Sequence, residues 1–279
     1  MENPTNEEIK FLSKTLDLDK KYLHDALDPF EGPRVEKEKF ATYVFTRHAS
    51  ESKEHAHTSP LLIIIHKEYF VTITLEKIGG LDNFFNGMVE FSTTQKTKLL
   101  TLLFLQVTTD YQEHINDISR EIRNVGTSVE KLTNKEIVKL VNFEKILNDF
   151  MAALIPTNIT LKNLVSGKQL RLYADDKDLV EDLFLSNNQL VEMCKSNIQY
   201  IVTLRETHST ITTNNLNKIM KLLTSVTVIL TIPTIIASYY GMNVLLPMQS
   251  DPLAWLWIVL GMAVISIILA VVFAFTGLL

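Results

Sequence analysis

Lys221 is the last basic residue of this 279-residue chain, and the 58 residues after it carry one formal charge, Asp251. A stretch so poor in charge is hard to place on a water-exposed surface, and it divides naturally into two runs. Residues 222–240 form an uncharged run of 19, roughly 30 Å long as a helix and about the thickness of bilayer hydrocarbon. Residues 253–279 form a second run, long enough to span with some tilt. The link 241–252 contains Pro247, Asp251 and Pro252. Tyr239 and Tyr240 close the first run, and Trp255 and Trp257 open the second, so four aromatics gather at one membrane face. Lys218 and Lys221 precede the first run, whereas the link has neither Lys nor Arg. The positive-inside rule therefore predicts a multi-pass protein of the cell (plasma) membrane with both termini cytoplasmic and the link outside.

The rest of the chain reads as water-soluble. Residues 1–221 hold all 27 basic residues and 31 of the 32 acidic ones, a net charge of −4, which excludes an electrostatic case for a nucleic-acid partner. Cys194 is the only cysteine, so an intrachain disulfide is impossible, and its surroundings offer no electropositive group to activate it. Residues 1–17 are polar and acidic without an apolar core, unlike a signal peptide.

The two apolar runs differ. The second is built mainly of Val, Ile, Leu, Ala and Phe. The first carries Thr224, Thr227, Thr231, Thr234 and Ser238 at spacings of three, four, three and four, which puts every hydroxyl on one helical face. Such a stripe gains nothing from lipid. It serves either a water-filled path, which then needs several subunits to enclose it, or close helix packing and back-bonding to the helix's own carbonyls. Pro233 lies inside the run and removes one backbone hydrogen bond.

Upstream, residues 40–75 read as strands. Ala41, Tyr43 and Phe45 alternate with Thr42, Val44 and Thr46; residues 61–65 form a short buried run; Val71, Ile73 and Leu75 alternate again. Gly79-Gly80 ends that pattern. From about residue 93 the spacing is helical, first through Ile115, Ile118, Ile122 and Val125. A second seam runs through Leu140, Phe143, Leu147, Phe150, Leu154, Thr157, Leu161 and Leu164, with Pro156 predicting a kink or a register fault. A third helix is expected from near residue 178 with no Pro or Gly before Pro233, its seam formed by Ile201, Leu204, His208 and Ile211. The fold class is thus an α+β membrane protein. Its expected parts are a strand-containing α/β region over 1–90 and long paired helices over 91–177. A stalk helix over 178–243 continues into the first span, followed by an external loop over 244–252 and a second span over 253–279.

Gly241-Met242-Asn243 directly follows Tyr240 at the outer end of the first of two C-terminal spans. This resembles the CorA family of Mg²⁺ channels, whose signature is Tyr-Gly-Met-Asn at that place. Upstream, Asn217, Met220, Lys221, Leu223 and Thr224 fit the family's Asn-x-x-Met-Lys-x-Leu-Thr pattern, and Thr234, Ala237 and Tyr240 also fit. The resemblance is close over residues 178–279 and holds only in outline before them. It implies a homopentamer in the lipid bilayer, its pore formed by the first span, passing divalent cations (Mg²⁺ and also Co²⁺) passively inward. It implies Gly241, Met242 and Asn243 as the selectivity motif, with Asn243 forming a ring at the outer mouth. It also implies Asn217, Met220, Leu223, Thr227, Thr231 and Thr234 as the pore lining. No prosthetic group is expected; Mg²⁺ is cargo and regulatory ion. The link departs from the family, reading Leu246-Pro247-Met248-Gln249-Ser250-Asp251 where many members have Met-Pro-Glu, and Leu278-Leu279 stand where many have a Lys-rich tail.

Two further groups carry candidate chemistry. Asp175, Asp176, Asp178, Glu181 and Asp182 crowd the start of the third helix, where acids suit the helix dipole. Counting back from Asn217, Asp182 falls where the family has a regulatory Asp, so Asp175, Asp178 and Asp182 are candidate regulatory metal ligands. His48, Glu51, Glu54, His55 and His57 fall in a polar link between strands; their spacing matches no closed metal site and reads as a solvated loop. No phosphate loop or nucleophile elbow is present, and nothing proposes an enzyme. The alternatives to a Mg²⁺ channel are a zinc transporter of the same superfamily and a non-conducting membrane-anchored coiled-coil scaffold.

Overall fold

A computed structural model describes residues 1–38, 40–51, 56–88, 91–92, 94–167, 170, 172–248 and 250–277, with backbone alone at 51, 85, 174 and 175. The chain forms two compact units, residues 1–205 and 206–279.

The first unit opens with α1 (Asn6–Thr15) and α2 (Lys20–Asp25). Residues 1–17 offer little apolar patterning, yet α1 starts at a reciprocal cap: the Glu8 N–H donates to Thr5 Oγ1 and the Thr5 N–H donates to Glu8 Oε2. Ile9 is its buried anchor. An antiparallel meander follows, β1 (Arg34–Glu38), β2 (Ala41–Glu51), β3 (Ala56–His66) and β4 (Phe70–Thr74), in the order β1-β2-β3-β4. Both faces of the sheet are covered. Tyr43, Phe45, Leu62, Ile64 and Ile73 share a core with Ile9 and Leu23 from α1 and α2. Val44, Leu61, Ile63 and Ile65 join a second core with residues of the long helices. Two-sided burial explains why residues 61–65 are continuously apolar rather than alternating.

His48, Glu51 and His57, from the polar stretch expected to be a solvated loop, lie instead in strands. Strands β2 and β3 pair in register from Ala41↔His66 out to Glu51↔Ala56. His48 is fully buried; its Nδ1–H donates to the Ala49 carbonyl and its Nε2 meets Thr74 Oγ1, each at 2.9 Å. Burial holds the imidazole below its ordinary pKa. His57 Nε2 instead pairs with Glu76 Oε2 at 2.9 Å. Glu54 and His55 lie outside the described residues.

After the short α3 (Asp82–Phe85) come three long helices, α4 (Lys96–Gly126), α5 (Asn134–Val165) and α6 (Ala174–Tyr240). The expected register fault at Pro156 is absent: the buried series Leu140, Leu147, Phe150, Leu154, Thr157, Leu161 and Leu164 keeps its three-four spacing through the proline. Side chains supply extra donors to the carbonyls beside it, Thr157 Oγ1 to Ala153 at 2.8 Å and Asn187 Nδ2 to Leu154 at 3.0 Å. Helix α6 runs unbroken through both units and through Pro233. In the first unit its Ile201, Leu204 and Cys194 are buried. Burial pushes the Cys194 thiol up to about 12, which keeps it inert as a nucleophile.

Candidate functional site

The second unit is the end of α6, the link and α7 (Ala254–Phe275). Its burial pattern sorts α6 into faces. Ser225 is buried, and Ile229, Ile232, Ile236 and Tyr240 are half-buried, spaced four, three, four and four. The matching half-buried set on α7 is Ala254, Ile258, Met262, Ser266, Leu269, Ala270 and Phe273. One small cavity is lined by both Tyr240 and Ala254, and a larger open groove by both Ser225 and Phe273, so the two helices lie side by side, antiparallel.

At 100° per residue, Thr224, Thr227, Thr231, Thr234 and Ser238 fall on the opposite side of α6 from this packed face, and all five are exposed. Packing against α7 therefore does not explain the hydroxyl stripe. Back-bonding does occur: the hydroxyls of Thr227, Thr231 and Thr234 donate to the carbonyls of Leu223, Thr227 and Leu230 at 2.7–2.8 Å. That uses the one proton each hydroxyl has and leaves its oxygen lone pairs outward. A face of exposed acceptors suits donors, such as water polarised by a cation, better than it suits anions. Asn217, Met220 and Leu223 continue along this side, and all three are exposed.

Helix α6 ends as the Gly241 N–H donates to the Ala237 and Ser238 carbonyls and the Met242 N–H donates to Tyr239. A Cβ on Gly241 would meet only those two carbonyls, both at 3.4 Å, so the helix end itself does not demand glycine. Met242 and Asn243 are exposed. Among the described residues the Asn243 amide makes no hydrogen bond, and in particular it does not cap α6.

Residues 1–274 match the family described as CorA-like Mg²⁺ transporter protein. The chain belongs to the CorA-like family. A relative, the cobalt/magnesium transport protein CorA of Methanocaldococcus jannaschii, is 26% identical over 96% of this chain and 86% of its own length. The complete structure of the CorA magnesium transporter from that organism superposes with a TM-score of 0.92, at 23% identity, covering all of this chain and 90% of that one. The full-length CmaX protein superposes with a TM-score of 0.78, at 18% identity, covering 99% and 86%. These structures fix the fold: a soluble N-terminal α/β part, long helices and C-terminal apolar helices. As a CorA-like protein the chain is a membrane-embedded divalent cation transporter, and α6 and α7 contain its transmembrane helices. The family and the cobalt/magnesium relative do not favour the zinc alternative.

The acidic cluster divides once its side chains are placed. Asp176, absent from the candidate ligand set, is buried at the start of α6 and accepts a 2.5 Å hydrogen bond from Thr97 Oγ1, tying α6 to α4. Asp178 and Asp182 are exposed one turn apart. The Asp175 side chain lies outside the described residues. No group of three or more His, Cys, Asp or Glu able to hold a metal exists among the described residues of one chain.

Proposed function

We propose that the chain forms a homopentameric channel carrying Mg²⁺, and secondarily Co²⁺, passively into the cell across the plasma membrane. The observation that carries this reading is the acceptor-bearing stripe of α6, exposed opposite the α7 face and leading to the Asn243 amide, which has no hydrogen bond among the described residues. The relative's cobalt/magnesium transport supports the choice of ion.

Mg²⁺ dehydrates reluctantly and keeps its octahedral waters. A ring of Asn243 carbonyl oxygens accepts hydrogen bonds from those waters without stripping them, and with no net charge it does not trap the ion. Gly241 and Met242 shape the mouth that holds the ring. Below it, Thr234, Thr231 and Thr227 offer hydroxyl oxygens in turn. Leu223 and Met220 form an apolar constriction that closes by dewetting, and Asn217 marks the inner end. Entry needs no chemical energy, because two charges moving inward gain about 4.6 kcal/mol per 100 mV of inside-negative potential. Asp178 and Asp182, with Asp175, bind regulatory Mg²⁺ between neighbouring subunits, where one chain alone supplies too few ligands. Lys218 and Lys221 before the first span place both termini in the cytoplasm.

The test is flux into liposomes containing a Mg²⁺-sensitive dye, run in parallel with Co²⁺ and Zn²⁺. Wild type should admit Mg²⁺ under an inside-negative potential. Asn243→Leu should assemble normally and lose at least tenfold in flux. Wild-type flux from correctly assembled Asn243→Leu would remove Asn243 from the ion path, and Zn²⁺ outpacing Mg²⁺ would revive the zinc alternative. Raising Mg²⁺ on the cytoplasmic side should inhibit wild type and inhibit Asp182→Ala less; equal inhibition would return Asp182 to dipole stabilisation.

A further inference from the structure

A recess in the second unit lies beside α7 and reaches the hydroxyl-bearing side of α6 at Asn217, Met220 and Thr224. Asn214, Lys218, Lys221, Ser225 and Val228 recur along α6 at spacings of four, three, four and three. With Phe273 near the end of α7 they line an open groove of about 650 Å³. Its length from Asn214 to Val228 is about 20 Å of helix. Chemistry changes steadily along it. Asn214 and the two ammonium groups stand at one end, the Ser225 hydroxyl in the middle, and Val228 and Phe273 make an apolar floor at the other.

Lys218 and Lys221 are the only Lys or Arg residues in 206–279. Among the described residues neither makes an ion pair. They line the same groove as Phe273, two residues before the second span ends at Phe275. Two unpaired cations there, close to the path of a dication, oppose conduction unless something negative neutralises them. A phospholipid fits the gradient in length and in chemistry, with its phosphate on the ammonium groups and an acyl chain along Val228 and Phe273.

We propose that this groove is a binding site for an anionic phospholipid, the headgroup phosphate held by Lys218 and Lys221. Asn217 and Met220 also line the groove, so the lipid abuts the turn of α6 that bears the inner pore candidates. The site requires only that α6 and α7 cross a membrane, and it stands whichever ion is carried.

The full-length assembly, purified and reconstituted in nanodiscs of phosphatidylcholine with one-fifth phosphatidylglycerol, is released into the gas phase, and retained lipids are counted by native mass spectrometry. Wild type should retain phosphatidylglycerol over phosphatidylcholine by roughly tenfold or more relative to the mixture, as two surface lysines imply. Lys218→Gln/Lys221→Gln should lose that preference with the oligomer intact, and Lys218→Arg/Lys221→Arg should keep it. Excess soluble glycerol phosphate should fail to displace the lipid. Equal retention of both lipids by wild type would overturn the proposal, as would an unchanged preference in the double Gln variant. Displacement by glycerol phosphate would overturn the lipid assignment in favour of a plain anion site. Loss of the oligomer in the Gln variant, with the Arg variant also showing no lipid preference, would mean a neighbouring subunit fills the groove.

Discussion

The carboxyl of Asp110 sits on α4 beneath the Gly79–Gly80 turn that ends the strand region. Its Oδ1 accepts from Gln106 Nε2 at 2.8 Å, while its buried Oδ2 has no partner. A Cβ on Gly79 would come within 2.7 Å of that oxygen, and Gly80 turns with φ +65°, so these two glycines are needed for the approach. Burial pushes the Asp110 carboxyl up to about 6. An unfolded Asp loses its proton near 4. Between those values the native state binds the extra proton, so this residue's contribution to stability falls as pH rises from about 4 to about 6 and is constant above. Asp110→Asn keeps the acceptor for Gln106 and removes the buried charge. It should raise stability at pH 7 by about 1 kcal/mol and flatten the pH 4–6 slope of thermal unfolding followed in detergent. A variant no more stable than wild type at pH 7, with the slope retained, would show that the carboxylate is solvated in the native protein.

Helix α5 shows what periodicity reveals and what it hides. Its buried seam was legible residue by residue, because apolar side chains at three-four spacing have one place to go. The effect of Pro156 was not, because spacing alone does not show that Thr157, and Asn187 from the next helix, donate to the Ala153 and Leu154 carbonyls beside the proline. Asn187 is buried, donates to the Leu154 carbonyl, and donates to Asn158 Oδ1 at 2.9 Å; Asn158 in turn donates to Asn188. Strand ends were hidden for the same reason. His48 looks like a loop residue until its tertiary contact with Thr74 satisfies it, and α1 shows itself only through its Thr5–Glu8 cap. In the membrane unit the hydroxyl stripe was legible, but which side α7 covers was not, since both sides of α6 are uncharged. Asn187→Ala should leave two acceptors short of a donor inside the α5–α6 packing and cost about 1–3 kcal/mol. Denaturant unfolding in detergent reads this loss directly. A change below a few tenths of a kcal/mol would mean that water replaces the amide.

At the scale of the molecule, the second unit is incomplete as a single chain. No described residue of α7 is buried, and along the α6 span only Ser225 is. Lipid accounts for the apolar faces, as it does for any hairpin of spans. It gains nothing from Thr227, Thr231 and Thr234, whose protons go to their own helix and whose outward oxygens keep acceptor capacity that water can use. One α6 cannot wrap water on its own, so the proposed path requires copies of the same face to converge around an axis. The first unit points the same way. Leu185 is 58% exposed and, with Asn188, Gln189, Glu192, Met193 and Ser196, bounds an open apolar recess of about 700 Å³ on α6. Closed rotational symmetry lets each chain bury one such face and supply one face to the path. Native mass measurement of detergent-solubilised protein should therefore give a discrete homo-oligomer, at five times the 31.8 kDa chain if the proposed pentamer forms. Adding a charge at Met193, as Met193→Glu, should shift that population toward monomer by placing charges in each copy's contact, while leaving the monomer's secondary structure unchanged. Wild-type protein that stays monomeric while folded would exclude a path shared between subunits.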